Sequence, residues 1–299
     1  RIIKMGSNIE KYKWEDIIKT GEKISLSPLK CFYMNLALQK SGQLPDKMFH
    51  YDQIGVQGLV IDDPQDYTSS YMLSDLFFQL GLMNECIHYA YNSMVGHTYY
   101  KEIAVQTVKR LLSCAILKQD DLLIKKYDQY LSNTLFYRNW KKKNETDIRK
   151  IQPIEMRDLL VQGDFSYILE GVLKKNPLHQ MAFEYLMAYY LLERDYENAK
   201  TSYDRYFSNF NYPSIPVHYA EFLVLYKHLK EEDDHFYDRY PISREIREQF
   251  EMMDVLISAP ITKQIQKVLE DRYQNTYWLY VKFPLVNIST PQKNEKTIY

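Results

Sequence analysis

The residues most suggestive of metal chemistry are two histidines on either side of an acidic run. His228 and His235 flank the four consecutive carboxylates of residues 231–234. Imidazole and carboxylate groups are common metal ligands. Consecutive carboxylates, however, point in different directions and do not converge on one ion. We therefore interpret this segment as a solvated acidic loop, and we predict neither a metal nor a cofactor for the chain.

A second segment places cations beside aromatic rings. Tyr137 and Trp140 lie among the basic residues Arg138, Lys141, Lys142, Lys143, Arg149 and Lys150. Such a mixture can contact RNA or phosphate, but Glu145 and Asp147 interrupt it. The favoured interpretation is a solvated loop between repeats, with RNA or phosphate contact as the alternative.

The overall charge argues against two classes of partner. The chain has 38 Lys and Arg against 39 Asp and Glu, a net charge of −1. It has no global field that would attract polyanions. We therefore predict no nucleic-acid partner and no membrane contact within the chain.

Catalytic motifs are absent from the sequence. There is no HExxH, GxSxG, phosphate loop or GxGxxG. Cys31, Cys86 and Cys114 form no CxxC, so a disulfide framework and a zinc site are not expected. Cys86 fits as a small buried hydrophobe. We predict that the protein is not an enzyme, although a catalytic pair could still assemble from residues distant in sequence.

One stretch, from Asn176 to Pro213, predicts a helical hairpin. Its apolar positions fall three or four residues apart, the spacing that places side chains on one helix face: Ala182, Leu186, Tyr190, then Tyr196, Ala199, Tyr203 and Tyr206. The short polar break 193–195 predicts a tight turn. This is the pattern of one tetratricopeptide-like (TPR-like) unit.

Related patterns recur along the chain. Small or apolar anchor positions near 48, 86, 123 and 199 indicate degenerate repeats, with a further repeat expected near 161. We predict an all-α, right-handed α-solenoid of TPR-like helix pairs over residues 1–283, ending in irregular capping helices. Helices are expected at about 217–230, 246–257 and 261–273, and residues 284–299 are expected to form a mobile tail.

The favoured function is a non-catalytic scaffold that binds a protein or peptide. Aligned repeats place five side chains where the first helices would line a concave groove: Tyr33, Tyr71, Asp75, Phe78 and Glu184. Their aromatic and acidic character would suit a ligand with basic or apolar anchors. The alternative is that these residues pack against a neighbouring helix. Other candidate functions are a glycan-binding accessory protein and an enzyme without a recognisable motif.

Four stretches of the sequence carry a family resemblance, namely residues 35–44, 48–53, 135–140 and 276–278. They are similar to stretches in a family of uncharacterised proteins of Bacteroidetes-type bacteria. The resemblance implies a multi-helix membrane region followed by a TPR-like region, of which this chain would be the second. It therefore implies anchoring through an upstream segment. We expect the repeats on the extracytoplasmic side, with the cytoplasmic side as the alternative. It implies no catalytic residues.

Overall fold

The computed structural model describes residue 5 and residues 13–61, 64, 66–95, 101–155, 164–233, 235–258 and 262–283. Regular structure in these ranges is helical, with sixteen α-helices and no β-strand. The all-α prediction is therefore confirmed. The repeat expected near 161 and the tail 284–299 lie outside the described residues. No described helix is both long enough and apolar enough to cross a membrane.

The helices are numbered here in chain order. They are α1 Trp14–Gly21, α2 Pro28–Lys40, α3 Leu44–Lys47, α4 Tyr67–Gln79, α5 Met83–Val95, α6 Lys101–Lys118, α7 Asp121–Ser132, α8 Trp140–Ile148, α9 Phe165–Lys175, α10 Gln180–Glu193, α11 Tyr196–Tyr206, α12 Val217–Lys230, α13 Phe236–Arg239, α14 Arg244–Ser258, α15 Lys263–Tyr273 and α16 Tyr277–Lys282. Two 3₁₀ turns, Met48–His50 and Phe207–Asn209, follow α3 and α11.

The chain forms two compact units. Unit 1 comprises residues 1–44 and 55–213, and unit 2 comprises residues 45–54 and 214–299. In unit 1, sequential helices pack as neighbours: α1 on α2, α4 on α5, α6 on α7, and α9 and α11 on α10. In unit 2, α12 packs against α14 and α16. The single repeat domain expected over residues 1–283 stays a prediction.

Side-chain caps explain where many of these helices begin. Ser27 caps α2 and precedes Pro28, which is tolerated in a first turn. Asp66 accepts the backbone N–H groups of Thr68 and Ser69 at 2.7 and 3.0 Å and so begins α4. Asp195 accepts the N–H of Asn198 at 3.2 Å and begins α11. Each cap satisfies N–H groups that lack a partner within the helix.

The hairpin expected over residues 176–213 is present as α10 and α11. Arg194 between them adopts a left-handed conformation, with φ of 60°, which turns the chain sharply. Six of the seven anchor positions, Ala182, Leu186, Tyr190, Ala199, Tyr203 and Tyr206, are buried, and the seventh, Tyr196, is half-buried. The 3–4 spacing therefore identified the contact faces of both helices correctly.

The repeat expected near position 48 differs from the prediction. Its second helix is only the four-residue α3, followed by the 3₁₀ turn that contains Met48. The Gln53 side chain donates to the Met48 carbonyl at 2.8 Å, and the N–H of Phe49 bonds a side chain of α12. These competing partners take backbone groups that a longer helix would need, and the helix therefore stops.

Gly81 permits a close approach between α4 and a later segment. Its φ is +79°, and a Cβ atom there would lie 2.3 Å from the Gln152 carbonyl oxygen. The N–H of Ile154 donates to the Gly81 carbonyl at 2.8 Å. Only glycine meets both requirements, so this turn fixes where residues 152–154 run.

Ala199→Asp tests the packing of the hairpin. Ala199 is fully buried in α11, so a carboxylate there would be desolvated without a partner. We expect the variant to lose about 3 kcal/mol or more of unfolding free energy. Thr201→Asp, at an exposed position of the same helix, should cost no more than about 0.5 kcal/mol. Equal melting temperatures of the two variants at neutral pH would contradict this packing.

Candidate functional site

Three of the five predicted groove residues meet around one buried arginine. Tyr71, Asp75 and Phe78 are buried on α4. Arg110 of α6 donates to Asp75 Oδ1, and its guanidinium carbon lies 4.1 Å from the centre of the Phe78 ring. Burial opposes the charge of Arg110, but the Asp75 carboxylate outweighs it and raises the Arg110 pKa above its ordinary value. The pair is an interior ion pair held by charge-assisted hydrogen bonding.

Helix α8 contributes to this burial. A cavity of about 20 Å³, close to the size of one water, lies between α4, α6 and α8. Its lining includes Tyr71 and Phe78 of α4, Arg110 of α6, and Trp140 and Ile148 of α8. The face that the sequence analysis assigned to a groove is thus packed against neighbouring helices. These residues stabilise the fold and present no open surface to a peptide.

The other two predicted residues lie elsewhere in unit 1 and are also buried. The Tyr33 ring on α2 packs edge-on against Phe32, with 5.6 Å between centroids. Glu184 on α10 accepts hydrogen bonds at Oε1 from Gln180 and Tyr212, both at 2.8 Å. Burial lowers the pKa of Lys40, and the charge of Glu184 opposes that shift. Glu184 therefore belongs to an interior polar cluster.

The two histidines beside the acidic run have separate partners. His228 Nε2 lies 3.8 Å from Asp254 on α14, and its ring packs on Phe250. His235 Nδ1 lies 3.0 Å from Asp238 Oδ2, and both side chains are exposed. Within the described residues, no group of three or more potential ligands is arranged to hold a metal.

The basic segment is mostly helical, which corrects the prediction of a loop. Lys141, Lys142 and Lys143 lie on α8, whose last residue, Ile148, is buried. Arg149 pairs with Glu145 at 2.6 Å and Lys150 with Asp147 at 2.6 Å. Burial of Ile148 and these i,i+3 and i,i+4 ion pairs stabilise a helix that the run of lysines had concealed. The loop is confined to residues 133–139.

Unit 2 contains a buried histidine–glutamate pair that sequence spacing did not identify. His218 Nδ1 donates to Glu221 Oε2 at 2.8 Å, and His218 Nε2 accepts the Phe49 N–H at 3.2 Å. The same Glu221 oxygen accepts the Tyr277 N–H at 2.8 Å, and the Glu221 carbonyl accepts the Trp278 indole N–H at 2.7 Å. Both ring nitrogens are thus engaged in holding α12, α16 and the Phe49 turn together. A general base needs a nitrogen free to face a substrate.

Two of the cysteines, distant in sequence, are neighbours in the fold. Cys86 on α5 and Cys114 on α6 are buried, with their sulfur atoms 3.2 Å apart. Burial, with the hydrogen bond to Cys86, raises the pKa of the Cys114 thiol well above its ordinary value. A protonated, enclosed thiol is a poor nucleophile, so the pair contributes packing rather than reactivity.

An open cleft in unit 1 is the strongest candidate site. It has a volume of about 470 Å³ and lies where α9, α10 and α11 meet. In the part of the chain that the structure describes, its lining carries four carboxylates, three tyrosines and two small polar side chains, and no cation: Asp164, Glu170, Glu193, Asp195, Tyr167, Tyr189, Tyr190, Ser166 and Asn198. We call it the acidic tyrosine cleft.

The turns and helix ends of the hairpin bring these acids together. Asp164 directly precedes α9, while Glu193 and Asp195 flank the turn between α10 and α11. Two tyrosine hydroxyls connect the helices, since Tyr189 donates to Asp164 and Tyr190 donates to Glu170 at 2.7 Å. The cleft is therefore pre-formed by bonds between elements.

Electrostatics in the cleft favour positive ligands. Burial, followed by the hydrogen bond to Glu170, raises the pKa of Tyr190 above its ordinary value. That hydroxyl therefore stays protonated and stays a donor to Glu170. An exposed cation, Lys174, lies 3.6 Å from Glu170, a type of pair that contributes little stability. Tyr167 is 61% exposed at the rim, so its ring is available to a cation.

Sequence reasoning identified the turn at 193–195 but missed the cleft. The acidic residues were visible on either side of the hairpin, but their convergence depends on how α9 packs against α10. The signal that could have found them is the position of Asp164 and Asp195, each directly before a helix. In successive antiparallel helices, alternate helix starts lie at the same end.

Comparison with known proteins places the chain in a family without an assigned function, as the sequence resemblance predicted. A family of unknown function, DUF6057, matches residues 1–284. The chain belongs to this family. No curated protein and no solved structure matches it. The resemblance to an uncharacterised family is thereby confirmed, while the bacterial group and the membrane region that it implied stay predictions for this DUF6057 chain.

Glu221 variants test the buried hydrogen-bond network of unit 2. Glu221→Leu removes the acceptor of both His218 and Tyr277. We expect a loss of about 3 kcal/mol of unfolding free energy, because two buried donors lose their acceptor. Glu221→Gln keeps an oxygen acceptor and should cost less. Urea titration followed by Trp278 fluorescence, with Trp14 and Trp140 replaced by Phe, would report on this unit. Equal losses in the two variants would contradict the network.

His179 should make unit 1 sensitive to acid. Its Nδ1 accepts the Ala182 N–H at 3.1 Å at the start of α10. Burial, reinforced by the charge of Lys40, lowers the His179 pKa. A lowered folded-state pKa means that stability is complete above the unfolded value of about 6.5 and is lost as the pH falls through the folded value.

His179→Asn separates capping from titration, because asparagine caps a helix without binding a proton. We expect the wild-type melting temperature to fall more than that of the variant between about pH 7 and pH 5. Parallel pH profiles of the two proteins would show that His179 does not contribute to the acid sensitivity.

Proposed function

We propose that the protein is a non-catalytic helical-repeat scaffold that binds a basic segment of a partner protein in the acidic tyrosine cleft. The observation that carries the proposal is a lining of four carboxylates and three tyrosines, with no cation among the described residues that form it. Lysine and arginine side chains combine a charge for carboxylates with a stem and head group that pack on aromatic rings. The cleft offers both surfaces at once.

The arrangement of helices supports the scaffold part of the proposal. Successive helix pairs pack as neighbours in unit 1, as a right-handed TPR-like solenoid requires. The buried His218 has both ring nitrogens engaged, and the Asp75–Arg110 pair is interior. These ionisable clusters serve the fold, which favours binding over catalysis.

A glycan is a weaker candidate ligand for the same cleft. Sugars stack on exposed aromatic faces and bond to carboxylates. Tyr167 is well exposed, but Tyr189 and Tyr190 are buried and present little ring surface. One accessible ring suits a single cationic side chain better than an extended saccharide.

Fluorescence anisotropy with charged peptides tests the proposal. The probe is a short fluorescein-labelled peptide rich in lysine and arginine, compared with the same peptide carrying glutamate at each cationic position. We expect the basic peptide alone to bind, and its affinity to fall with rising salt because the contacts are charged. Tyr167→Ala should weaken binding by about twofold to fivefold, the value of an exposed cation–π contact. Glu193→Gln should weaken it similarly.

Matched controls lie outside the cleft. Tyr130 on α7 and Glu251 on α14 are also exposed, and Tyr130→Ala and Glu251→Gln should leave peptide binding unchanged. Equal binding of the two peptides, or unchanged affinity in Tyr167→Ala and Glu193→Gln, would overturn the proposal. Binding of an oligosaccharide that Tyr167→Ala abolishes, without binding of the basic peptide, would favour the glycan alternative.

A further inference from the structure

The loop between α7 and α8 has two large apolar side chains at its tip. Leu135 is 88% exposed and Phe136 is 85% exposed. Single exposed apolar residues are common on protein surfaces, but two large neighbours at a tip form a contiguous apolar projection. We call residues 135 and 136 the apolar tip.

The loop is held in this conformation by its own contacts. The Thr134 hydroxyl donates to the Leu131 carbonyl at 2.6 Å and accepts the Tyr137 N–H at 3.2 Å. The Lys109 ammonium lies 3.9 Å from the centre of the Tyr137 ring, and the Trp140 N–H donates to the Tyr137 carbonyl at 2.9 Å. The residues on either side of the tip are therefore anchored, and the tip is displayed rather than folded back onto the unit.

Cations lie on one side of the apolar tip. A depression of about 280 Å³ beside it is lined by Leu135, Phe136, Arg138, Asn139, Trp140 and Lys143. The adjoining depression carries four cations, Arg138, Lys141, Lys142 and Arg149, and two carboxylates, Asp128 and Glu145, the second of which pairs with Arg149. The surface formed by these cations is thus positive on balance, and we call it the cationic rim of the tip.

We propose that the apolar tip and its cationic rim dock on the surface of an anionic phospholipid bilayer. A bilayer deforms around an inserted side chain and needs no complementary shape, so it suits two apolar side chains that project from a loop. Apolar insertion combined with lysine and arginine at the headgroup level is how peripheral proteins bind anionic lipids. Tryptophan beside the tip suits the same interface.

This proposal is independent of the acidic tyrosine cleft. It also departs from the sequence-based expectation of no membrane contact, which rested on the net charge. Net charge does not report which cations share a surface with exposed apolar side chains. The exposure of Leu135 and Phe136 is a property of the folded loop.

Vesicle co-sedimentation of the whole chain tests the docking surface. The vesicles are phosphatidylcholine alone or with about 30% phosphatidylglycerol. We expect binding to the anionic vesicles only, decreasing with salt. Leu135→Ser with Phe136→Ser should reduce the bound fraction by about tenfold or more, because the inserted apolar surface is lost. Lys142→Glu with Lys143→Glu should abolish the preference for anionic lipid.

The control pair is Leu122→Ser with Leu178→Ser, which removes two apolar side chains that are 82% and 69% exposed elsewhere in unit 1. It should leave vesicle binding unchanged. In a chain with Trp14 and Trp278 replaced by Phe, Trp140 fluorescence should also be quenched by nitroxide-labelled lipid. Circular dichroism of each serine and glutamate variant should match that of the wild type, since the side chains altered in these variants are exposed.

Three results would overturn the proposal. The first is absence of binding to anionic vesicles, or binding that the tip substitutions leave intact. The second is an oligomer in sedimentation velocity whose mass the tip substitutions lower while vesicle binding stays the same, which would assign the tip to self-association. The third is binding of single-stranded RNA in place of vesicles, lost on Lys142→Glu with Lys143→Glu.

Discussion

Unit 1 depends on three helices that bury nearly every side chain along their length. All residues of 31–39 in α2, 69–79 in α4 and 181–192 in α10 are buried. A helix without a polar face cannot lie at a surface, so it needs neighbours on all sides. Helices with one apolar face, such as α5 and α11, supply that cover. The paired arrangement therefore follows from burial, since short helices gain most of their stability from packing.

Polar groups within these buried helices restrict which neighbour can cover them. Asp75 of α4 requires a cation, and Arg110 of α6 provides it. Glu184 of α10 bonds to Tyr212, which lies beyond the end of α11. Removing one partner of a buried charged pair costs about 3–5 kcal/mol. Packing of α4 against a helix without a cation at this position is therefore disfavoured by a large fraction of a domain's total stability.

Sequence reasoning predicted the helix faces that depend on local spacing. It did not predict packing between segments that are distant in the sequence. The anchors of the 176–213 hairpin are set by helical periodicity, and their burial was predictable. Tyr71, Asp75 and Phe78 were placed on a groove because nothing local shows that Arg110 of α6 pairs with Asp75 or that α8 lies beside Tyr71 and Phe78. Helix α8 itself was hidden, since Lys141–Lys143 have no apolar period and only its ends contribute Trp140 and Ile148. The acidic tyrosine cleft likewise forms only when α9 reaches α10, through the Tyr189–Asp164 bond.

The net charge of −1 conceals a separation of charges within unit 1. Carboxylates line the cleft, while cations lie on one side of the apolar tip. Beyond a screening length of about 8–10 Å their fields are damped by salt, so distant ions meet a nearly neutral molecule. At contact, each surface acts through its own charges. A cationic ligand is attracted to the cleft and repelled by the cationic rim. An anionic ligand is attracted to the rim and repelled by the cleft. For the two binding surfaces that we propose, opposite local charges would thus discriminate between classes of partner, by repulsion as much as by attraction, without any change in the total charge.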